Sequence, residues 1–320
     1  MATLPPRSVF ISDHITDPDI ELGILGPALT MEPHEHALIA LVWRQSVDDG
    51  FLDRFPRLRA VLRYGVGYEN IDLAATRARG VIACNNPAYG VDEVADTAIA
   101  MTLAFTRGIF RYDALAASLP ANWQSNTIPT LRRHSDLVFG AVGAGRIGGS
   151  ALLKARALGF QTCFYDPHQA RGIEKVLRAR RVDRLDELLA CSDVVSLHCP
   201  LSEETFGMVN PAFINTMKRG AILINTARGA LVHHLDDLHE ALRSDQLAAV
   251  GLDVLPQEPP PVSGLIGAWR TREPWLAGRC IINPHTGYFS QQAKMEMRRT
   301  VAENARRILL GLPAWHELKS

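Results

Sequence analysis

The stretch from Leu137 to Asp166 constrains the fold of this chain more than any other part of its sequence. It reads as a buried strand, a glycine turn, a helix that stops at Gly159, and a second strand that ends on an acidic residue. The turn, GAGRIG (143–148), has the glycine spacing with which a parallel α/β sheet holds a dinucleotide. The first glycine permits a tight turn, the second lets the backbone approach a pyrophosphate, and the third lets helix and strand pack closely.

Asp166 lies 18 positions beyond Gly148, at the end of the second strand. A carboxylate there can accept hydrogen bonds from both hydroxyls of an adenosine ribose and would repel a 2′-phosphate. The expected cofactor is therefore NAD rather than NADP. A glycine turn alone is also compatible with a purely structural strand-to-helix turn, but the combination of strand, helix, Gly159 and terminal acid at these offsets favours a dinucleotide site.

Length and composition point to a two-domain globular protein. The 320 residues exceed one average domain, and Lys+Arg and Asp+Glu balance at 34 each, so nothing in the net charge favours nucleic acid or an anionic membrane as a partner. The five cysteines are scattered, with no CxxC pair, which predicts reduced core residues. We see neither a leader pattern nor a long apolar run, and therefore expect a cytoplasmic location.

Strand-like and helix-like segments alternate through the chain, which predicts parallel sheets with crossover helices. A first α/β domain is expected from the apolar runs 9–11, 38–43, 60–64 and 81–84, and the turn 65–67 follows the third of these. The helix predicted over 91–107 is apolar nearly all round, as in a helix that connects two domains. A doubly wound domain is expected from the runs 137–142, 162–165, 193–198, 221–226, 248–252 and 280–283, and a helix over 291–310 ends the chain.

Three polar residues follow late strands of the predicted second domain: Arg228, Glu258 and His285. The carboxyl ends of strands line the ligand site in open α/β sheets, so these residues can converge. Reduction of a ketone requires a proton donor, and a histidine beside a carboxylate suits that task. A guanidinium can hold a substrate carboxylate through two parallel hydrogen bonds. On spacing alone, surface or salt-bridge residues remain an equal alternative.

Several longer stretches carry a resemblance to a known family. In chain order they are RYGVGYENIDL (63–73), CNNPAYGVDEVADTAIAM (84–101), GAGRIG (143–148), FYDP (164–167), LHCPLSEET (197–205), NTARGALV (225–232), GLDVLPQEP (251–259) and PHTGYFSQQAKMEMR (284–298). Over nearly its whole length the chain resembles the D-isomer-specific 2-hydroxyacid dehydrogenases, and within them the C-terminal-binding-protein branch.

The resemblance implies a fold and a set of roles. A doubly wound NAD-binding (Rossmann) domain, 101–287, would be inserted in a smaller flavodoxin-like α/β substrate domain, 1–100 plus 288–320, and the protein would be a homodimer. Arg228 would hold the substrate carboxylate, Glu258 would pair with His285, and His285 would exchange the proton. The backbone of Val66 and Gly67 would bind the substrate, with Arg63 as a second anion contact. The expected cofactor-binding residues are Thr97, Gly143, Gly145, Arg146, Ile147, Gly148, Asp166, Cys199, Pro200, Thr205, Ala227 and Asp253.

The implied function is NAD-dependent interconversion of a 2-keto acid and a D-2-hydroxy acid, with no nucleic-acid or membrane partner. Two alternatives are an NAD(H)-sensing scaffold that binds peptides in transcriptional repression, and a phosphite dehydrogenase. Thr97 alone could equally bond its hydroxyl to a carbonyl one turn back. The His233-His234 pair departs from the family pattern; on a helix the two rings would point to different sides, so we expect exposed residues and no metal site.

Overall fold

Two units make up the part of the chain that the computed structural model describes, residues 4–119 and 121–318. One unit is Met1–Gly90 with Phe289–Ser320, and the other is Val91–Tyr288. The outermost positions of the predicted first domain, 1–3 and 319–320, lie outside the described residues. Across the two described ranges, every helix is too short or too polar to span a lipid bilayer.

The first unit is built on a parallel sheet of five strands in the order β2-β1-β3-β4-β5. This order is that of flavodoxin-like folds. The two-residue strand β2 was not predicted, because a run that short has no readable hydrophobic pattern. The elements are β1 (Val9–Ile11), α1 (Asp19–Leu25), β2 (Leu29–Thr30), β3 (Ile39–Val42), α2 (Asp49–Asp53), β4 (Ala60–Arg63), α3 (Leu73–Ala78) and β5 (Ile82–Cys84).

The second unit contains a parallel sheet of seven strands, ordered β12-β11-β10-β9-β6-β7-β8. Its helices and strands are α4 (Val91–Thr106), α5 (Ile109–Ala117), β6 (Val138–Val142), α6 (Arg146–Ala157), β7 (Gln161–Tyr165), α7 (Ile173–Leu177), β8 (Arg180–Val182), α8 (Leu185–Cys191), β9 (Val194–Leu197), α9 (Pro211–Thr216), β10 (Ala221–Asn225), α10 (Leu235–Arg243), β11 (Leu247–Leu252), α11 (Gly264–Arg270) and β12 (Cys280–Ile282). Numbered from β6, this is the doubly wound order 3-2-1-4-5-6 with one further strand.

The predicted fold class is confirmed, and the predicted set of six strands needs one correction. Strand β8 was missed because two of its three residues are Arg180 and Arg181, so it lacks the apolar run that marked the other strands. It extends the sheet beyond β7 by pairing Cys163 with Arg180. Helix α4 packs against α6 and β10, and the predicted domain boundary at 100–101 falls inside it, whereas the two units separate at 90–91.

The chain returns to the first unit through α12 (Gln291–Leu309), which packs against α1. A buried ion pair joins the two helices: Arg298 Nε donates to Glu21 Oε1 at 3.0 Å, and the Glu21 side chain is fully buried. Tyr64 Oη donates to the same carboxylate oxygen at 3.0 Å. Burial raises the pKa of Tyr64 well above its usual value, so the phenol keeps its proton. Helix α12 is thus packed into the core of the first unit.

Candidate active site

The register of the seven-stranded sheet aligns the ends of its central strands. Val142 at the end of β6 pairs with Tyr165 of β7 and with Leu197 of β9. Asn225 of β10 pairs in turn with Leu197 and with Leu252 of β11. The residues that follow these strands therefore emerge at one edge of the sheet, which is the ligand-binding edge of open α/β folds.

The glycine turn after β6 has room only for glycine at two positions. Gly143 has φ +93°, and a Cβ atom there would lie 2.8 Å from the backbone nitrogen of Cys199. A Cβ atom at Gly148 would collide with the carbonyl oxygen of Gly143 and lie 3.1 Å from Cβ of His198. The first turn of α6 therefore packs directly on the glycine turn, which a larger side chain would prevent.

Gly145 differs from the other two glycines because its Cβ position faces no protein atom within 4 Å. It is the N-cap residue of α6, and no side chain caps this helix end. The N–H groups of the first helical turn, including those of Arg146 and Ile147, have no intrahelical acceptor in an α-helix. An uncapped helix N-terminus behind an open glycine backbone fits the pyrophosphate of a dinucleotide.

Asp166 is held beside this turn by backbone hydrogen bonds. Its Oδ2 accepts from the N–H of Ala144 at 2.8 Å, and its Oδ1 accepts from that of His168 at 2.9 Å. The carboxylate is half-buried and close to the start of the glycine turn. This position at the end of β7 is the one from which an acid contacts the adenosine ribose of NAD.

The segment after β9 forms a compact loop next to the glycine turn. The Thr205 hydroxyl donates to the carbonyl of Pro200 at 2.7 Å and accepts from the N–H of Ser202 at 2.8 Å, which closes the loop. Cys199 begins this loop, and burial raises the pKa of its thiol to about 11. Its backbone contact with the Gly143 position places Cys199 at the turn itself.

His285 and Glu258 form a direct pair, with Nδ1 of the histidine 2.7 Å from Oε2 of the glutamate. The other carboxylate oxygen, Oε1, accepts from the N–H of Leu255 at 3.0 Å, which fixes the orientation of Glu258. An ionised carboxylate only accepts hydrogen bonds, so the hydrogen of this contact belongs to Nδ1 and Nε2 remains for another partner. Both side chains are partly exposed, at 41% and 35%.

Asp253 and Thr97 support the turn that carries His285. The buried carboxylate of Asp253 accepts from the N–H groups of Thr286 at 3.1 Å and Gly287 at 2.9 Å, and burial raises its pKa. The Thr97 hydroxyl donates to the carbonyl of Gly287 at 3.3 Å. Thr97 thus bonds to a residue 190 positions away, which differs from the bond one turn back considered in the sequence.

Arg228 follows β10 in a turn organised by Asn225. The Asn225 side chain donates to the carbonyl of Arg228 at 2.8 Å and accepts from the N–H of Ala227 at 3.0 Å. The Arg228 guanidinium donates to the carbonyl of Ala227 at 2.6 Å. A Cβ atom at Gly229 would collide with the Leu255 backbone, so the Arg228 turn packs tightly on the segment that leads to Glu258.

In the first unit, the turn predicted to bind substrate follows β4. The Asn85 side chain donates to the carbonyl of Val66 at 2.6 Å, and Gly67 is buried. The Arg63 guanidinium lies against Gly65, where any Cβ atom would collide with it, and its Nε donates to Asn70 at 2.9 Å. The sequence did not single out these asparagines, although both lie within the matching stretches.

His198 is a further buried residue to which the sequence assigned no role. Its Nε2 lies 2.9 Å from the hydroxyl of Ser196, and its buried Nδ1 has no hydrogen-bond partner among the described residues. Burial lowers the pKa of His198 to about 4, so the ring is neutral. The sequence feature that could have drawn attention to His198 is its position directly after β9, in the stretch LHCPLSEET.

The expectation for His233-His234 needs correction in its geometry. Both residues are exposed, as expected, but they precede helix α10 and their rings are in contact, with centroids 4.0 Å apart. His233 Nδ1 lies 3.4 Å from Oδ2 of Asp237. The two rings therefore contact each other before the helix begins and do not point to different sides of it.

Comparison with known proteins agrees with this geometry. Residues 99–287 match the family model described as D-isomer specific 2-hydroxyacid dehydrogenase, NAD binding domain. Glyoxylate reductases of Korarchaeum cryptofilum and Thermococcus litoralis are each 34% identical to the chain, over 272 and 274 residues respectively, covering 84% of this chain and 78% of theirs. The D-lactate dehydrogenase of Aquifex aeolicus, solved with NAD and lactic acid, superposes with a TM-score of 0.83 at 26% identity over 95% of both chains.

The chain belongs to the D-isomer specific 2-hydroxyacid dehydrogenase family. It is an NAD-dependent oxidoreductase that interconverts 2-keto acids and 2-hydroxy acids. The glycine turn, the uncapped start of α6 and the carboxylate of Asp166 fit NAD, as the geometry above requires.

Proposed function

We propose that this chain reduces a small 2-keto acid to a D-2-hydroxy acid, with Arg228, Glu258 and His285 as its catalytic residues. The observation that carries the assignment is the 2.7 Å contact between His285 and Glu258, which follow β12 and β11 in the chain. This contact leaves His285 Nε2 able to exchange a proton with the substrate oxygen. Glu258 holds the ring in one orientation and one tautomer.

The remaining steps follow from the chemistry of the neighbouring groups. NADH, when bound, supplies the hydride. Arg228 binds the substrate carboxylate through paired hydrogen bonds and polarises the adjacent carbonyl. Protonated His285 gives its proton to the oxygen as negative charge develops there, and Glu258 compensates the charge of the imidazolium. In the reverse direction neutral His285 removes the hydroxyl proton.

For substrate binding we propose the backbone of Val66 and Gly67, with Arg63 as a second anion contact. Support comes from the turn itself, where, among the described residues, the N–H groups of Val66 and Gly67 donate to no acceptor. Unpaired N–H groups in a turn form a site for a carboxylate oxygen.

For NAD we propose two groups of contacts. The first is the pyrophosphate and adenosine group, supported by the open turn and by the loop after β9: Gly143, Gly145, Arg146, Ile147, Gly148, Asp166, Cys199, Pro200 and Thr205. The second is the nicotinamide group: Thr97, Ala227 and Asp253. Thr97 and Asp253 also hold the turn at 286–287, so they contribute by positioning His285.

Purified protein assayed with a panel of 2-keto acids, with NADH and with NADPH, tests this proposal. We expect turnover with NADH on glyoxylate or pyruvate, because the family relatives include glyoxylate reductases. His285→Ala should lower kcat by about 10²-fold or more, since it removes the proton donor. Arg228→Ala should lower kcat/KM, mainly through KM. The matched controls are His36→Ala and Arg299→Ala, which change exposed residues of the first unit.

Other outcomes would redirect the assignment. Unchanged turnover in both Arg228→Ala and His285→Ala would rule out the proposed roles. NADH formation on addition of phosphite would indicate an inorganic anion as substrate. Binding of peptides only in the presence of NADH, without turnover of any keto acid, would indicate a scaffold of the C-terminal-binding-protein type, the branch in which we propose to place the chain on its matching stretches.

We further propose that the two units act as the substrate domain and the NAD-binding domain, in a cytoplasmic homodimer. Support for self-association is a set of large apolar side chains that are about half or more exposed, on α5 and the segment after it: Ile109 (54%), Phe110 (50%), Leu119 (79%) and Trp123 (57%). Exposed apolar groups concentrated in one segment mark an association surface.

Sedimentation at several concentrations tests the dimer. The wild-type protein should sediment as a dimer, and the double variant Phe110→Glu, Trp123→Glu as a monomer, because charges in an apolar interface are costly to bury. Val176→Glu and Val262→Glu change residues that are each 69% exposed elsewhere in the second unit, and should leave the dimer intact. A monomeric wild-type protein would exclude the proposal.

A further inference from the structure

Cys163 and Cys191 bring two thiols together on the second unit's sheet. Cys163 lies in the middle of β7 and is buried, whereas Cys191 is the last residue of α8 and is half-buried. Their Sγ atoms are 3.7 Å apart although 28 positions separate them in the chain. A disulfide requires the sulfurs to approach to about 2.05 Å, so a side-chain movement of less than two ångströms would join them.

A cation lies at the more accessible of the two thiols. Arg180 Nη2 is 3.0 Å from Sγ of Cys191, and the same guanidinium donates through Nη1 to Glu187 at 3.0 Å, which holds it in place. A neighbouring guanidinium stabilises a thiolate, which is the reactive form of cysteine. Cys163 has the opposite character, because burial raises the pKa of its thiol to about 12 and keeps it protonated.

We infer that Cys191 is an oxidation site for hydroperoxides, and that Cys163 resolves it by forming an intramolecular disulfide. The thiolate of Cys191 attacks one peroxide oxygen; an S–O bond forms, the O–O bond breaks, and the leaving oxygen takes up a proton and departs as an alcohol or water. Cys163 sulfur then attacks the sulfenic sulfur of Cys191; the S–S bond forms, the S–O bond breaks, and the hydroxyl leaves with the Cys163 proton as water. Two thiols are oxidised and one peroxide is reduced.

The disulfide would close a loop that contains Asp166, α7 and β8. Cys163 precedes Asp166 by three positions on the strand that ends at the ribose-binding acid. The modification is therefore placed in the cofactor-binding half of the second unit's sheet, although neither cysteine belongs to the proposed catalytic set.

Peptide mapping after peroxide treatment tests the inference. The reduced protein is exposed to a few equivalents of hydrogen peroxide, alkylated, and digested with trypsin without reductant. We expect residues 157–171 linked to residues 185–218, with a mass two units below the sum of the two peptides when only Cys199 carries an alkyl group. Fragmentation must assign the link to Cys191, because Cys199 lies in the same peptide.

Variants separate the two steps. Cys191→Ser should abolish the link, whereas Cys163→Ser should leave a sulfenic acid on Cys191 that dimedone traps. Arg180→Gln should slow oxidation severalfold, because it removes the cation 3.0 Å from the Cys191 sulfur. Cys280→Ser is the matched control and should link as the wild type does. Formation of a sulfinic acid at Cys191 without any link, or a link that involves Cys199, would overturn the inference.

Discussion

His198 is a buried side chain beside the glycine turn, and its protonation should make the stability of the protein depend on pH. Its Cβ lies 3.1 Å from the position a Cβ would take at Gly148, so this buried residue packs against the first turn of α6. Protonation would place a charge at a nitrogen that has no partner among the described residues. The folded protein therefore resists protonation of this residue, and its pKa falls to about 4.

Stability should consequently fall in acid through His198. An exposed histidine in the unfolded chain has a pKa of about 6.5, so between that pH and pH 4 the unfolded chain binds a proton that the folded chain does not. This residue alone should lower the free energy of unfolding by as much as about 3 kcal/mol across that window, and contribute no pH dependence above it.

Urea denaturation of wild type and His198→Asn from pH 7.5 to 4.5 measures this effect. The asparagine variant should lose less stability than wild type as the pH falls, because it has no proton to bind. His36→Gln, which changes an exposed histidine, should follow the wild-type curve. Parallel curves for wild type and His198→Asn would contradict the pKa assigned to the buried ring.

At the scale of the element, Gly148 and Gly145 in the turn between β6 and α6 have different surroundings. Gly148 is required by packing within the protein, since a Cβ would collide with the Gly143 carbonyl. Gly145 has a φ of −71°, which any residue can adopt, and its Cβ position faces no protein atom. Packing within the protein therefore does not require glycine here, and under the proposed NAD site the reason for a glycine would be the ligand.

The variants Gly148→Ala and Gly145→Ala should accordingly fail in different ways. Gly148→Ala should be destabilised by about 1–3 kcal/mol through overpacking and should also bind NADH poorly. Gly145→Ala should unfold like the wild type but lose at least about tenfold in NADH affinity, because its methyl group occupies the approach to the pyrophosphate. Thermal unfolding and fluorescence titration with NADH distinguish them. Normal NADH affinity in Gly145→Ala would contradict the proposal that this turn binds the pyrophosphate.

At the scale of the molecule, the first unit depends on segments from both ends of the chain. Glu21 and Arg298 are 277 positions apart, and their ion pair is almost completely buried between α1 and α12. Removing one partner of a buried pair leaves an uncompensated charge, whereas removing both does not. The C-terminal helix is therefore a structural part of the N-terminal unit.

Arg298→Met should lower the free energy of unfolding by about 3–5 kcal/mol. The double variant Glu21→Gln, Arg298→Met should be less destabilised than the sum of its single changes, since it leaves no isolated charge. Arg299→Met alters the exposed neighbouring residue and should be nearly neutral. Chemical denaturation of the wild type, the single variants Glu21→Gln and Arg298→Met, the double variant and Arg299→Met measures these effects. Additive effects would show that the ion pair does not act as a unit.

Much of the architecture could be predicted because it depends on features within short stretches of the sequence. The glycine spacing, the helix stop at Gly159 and the acid at 166 predicted the β6-α6-β7 unit, which the structure contains. Most strands could be predicted because they are apolar runs of four or more residues. Two strands were missed because they have no such run: β2 has only two residues, and two of the three residues of β8 are arginines. The contact between the rings of His233 and His234 was mispredicted because a helix was assumed to begin before them.

The sheet class, the dinucleotide turn and a short set of polar residues after strand ends can be predicted from the sequence, because each depends on neighbours within a few positions. Which distant residues touch depends on the folded structure. Thr97 bonds the carbonyl of Gly287 across 190 positions, and His198 packs against the first turn of α6. The contact of Glu258 with His285 was implied by the family resemblance, whereas spacing alone left it open. Such contacts depend on strand register and on the close packing of turns, which bring together groups that no local pattern relates.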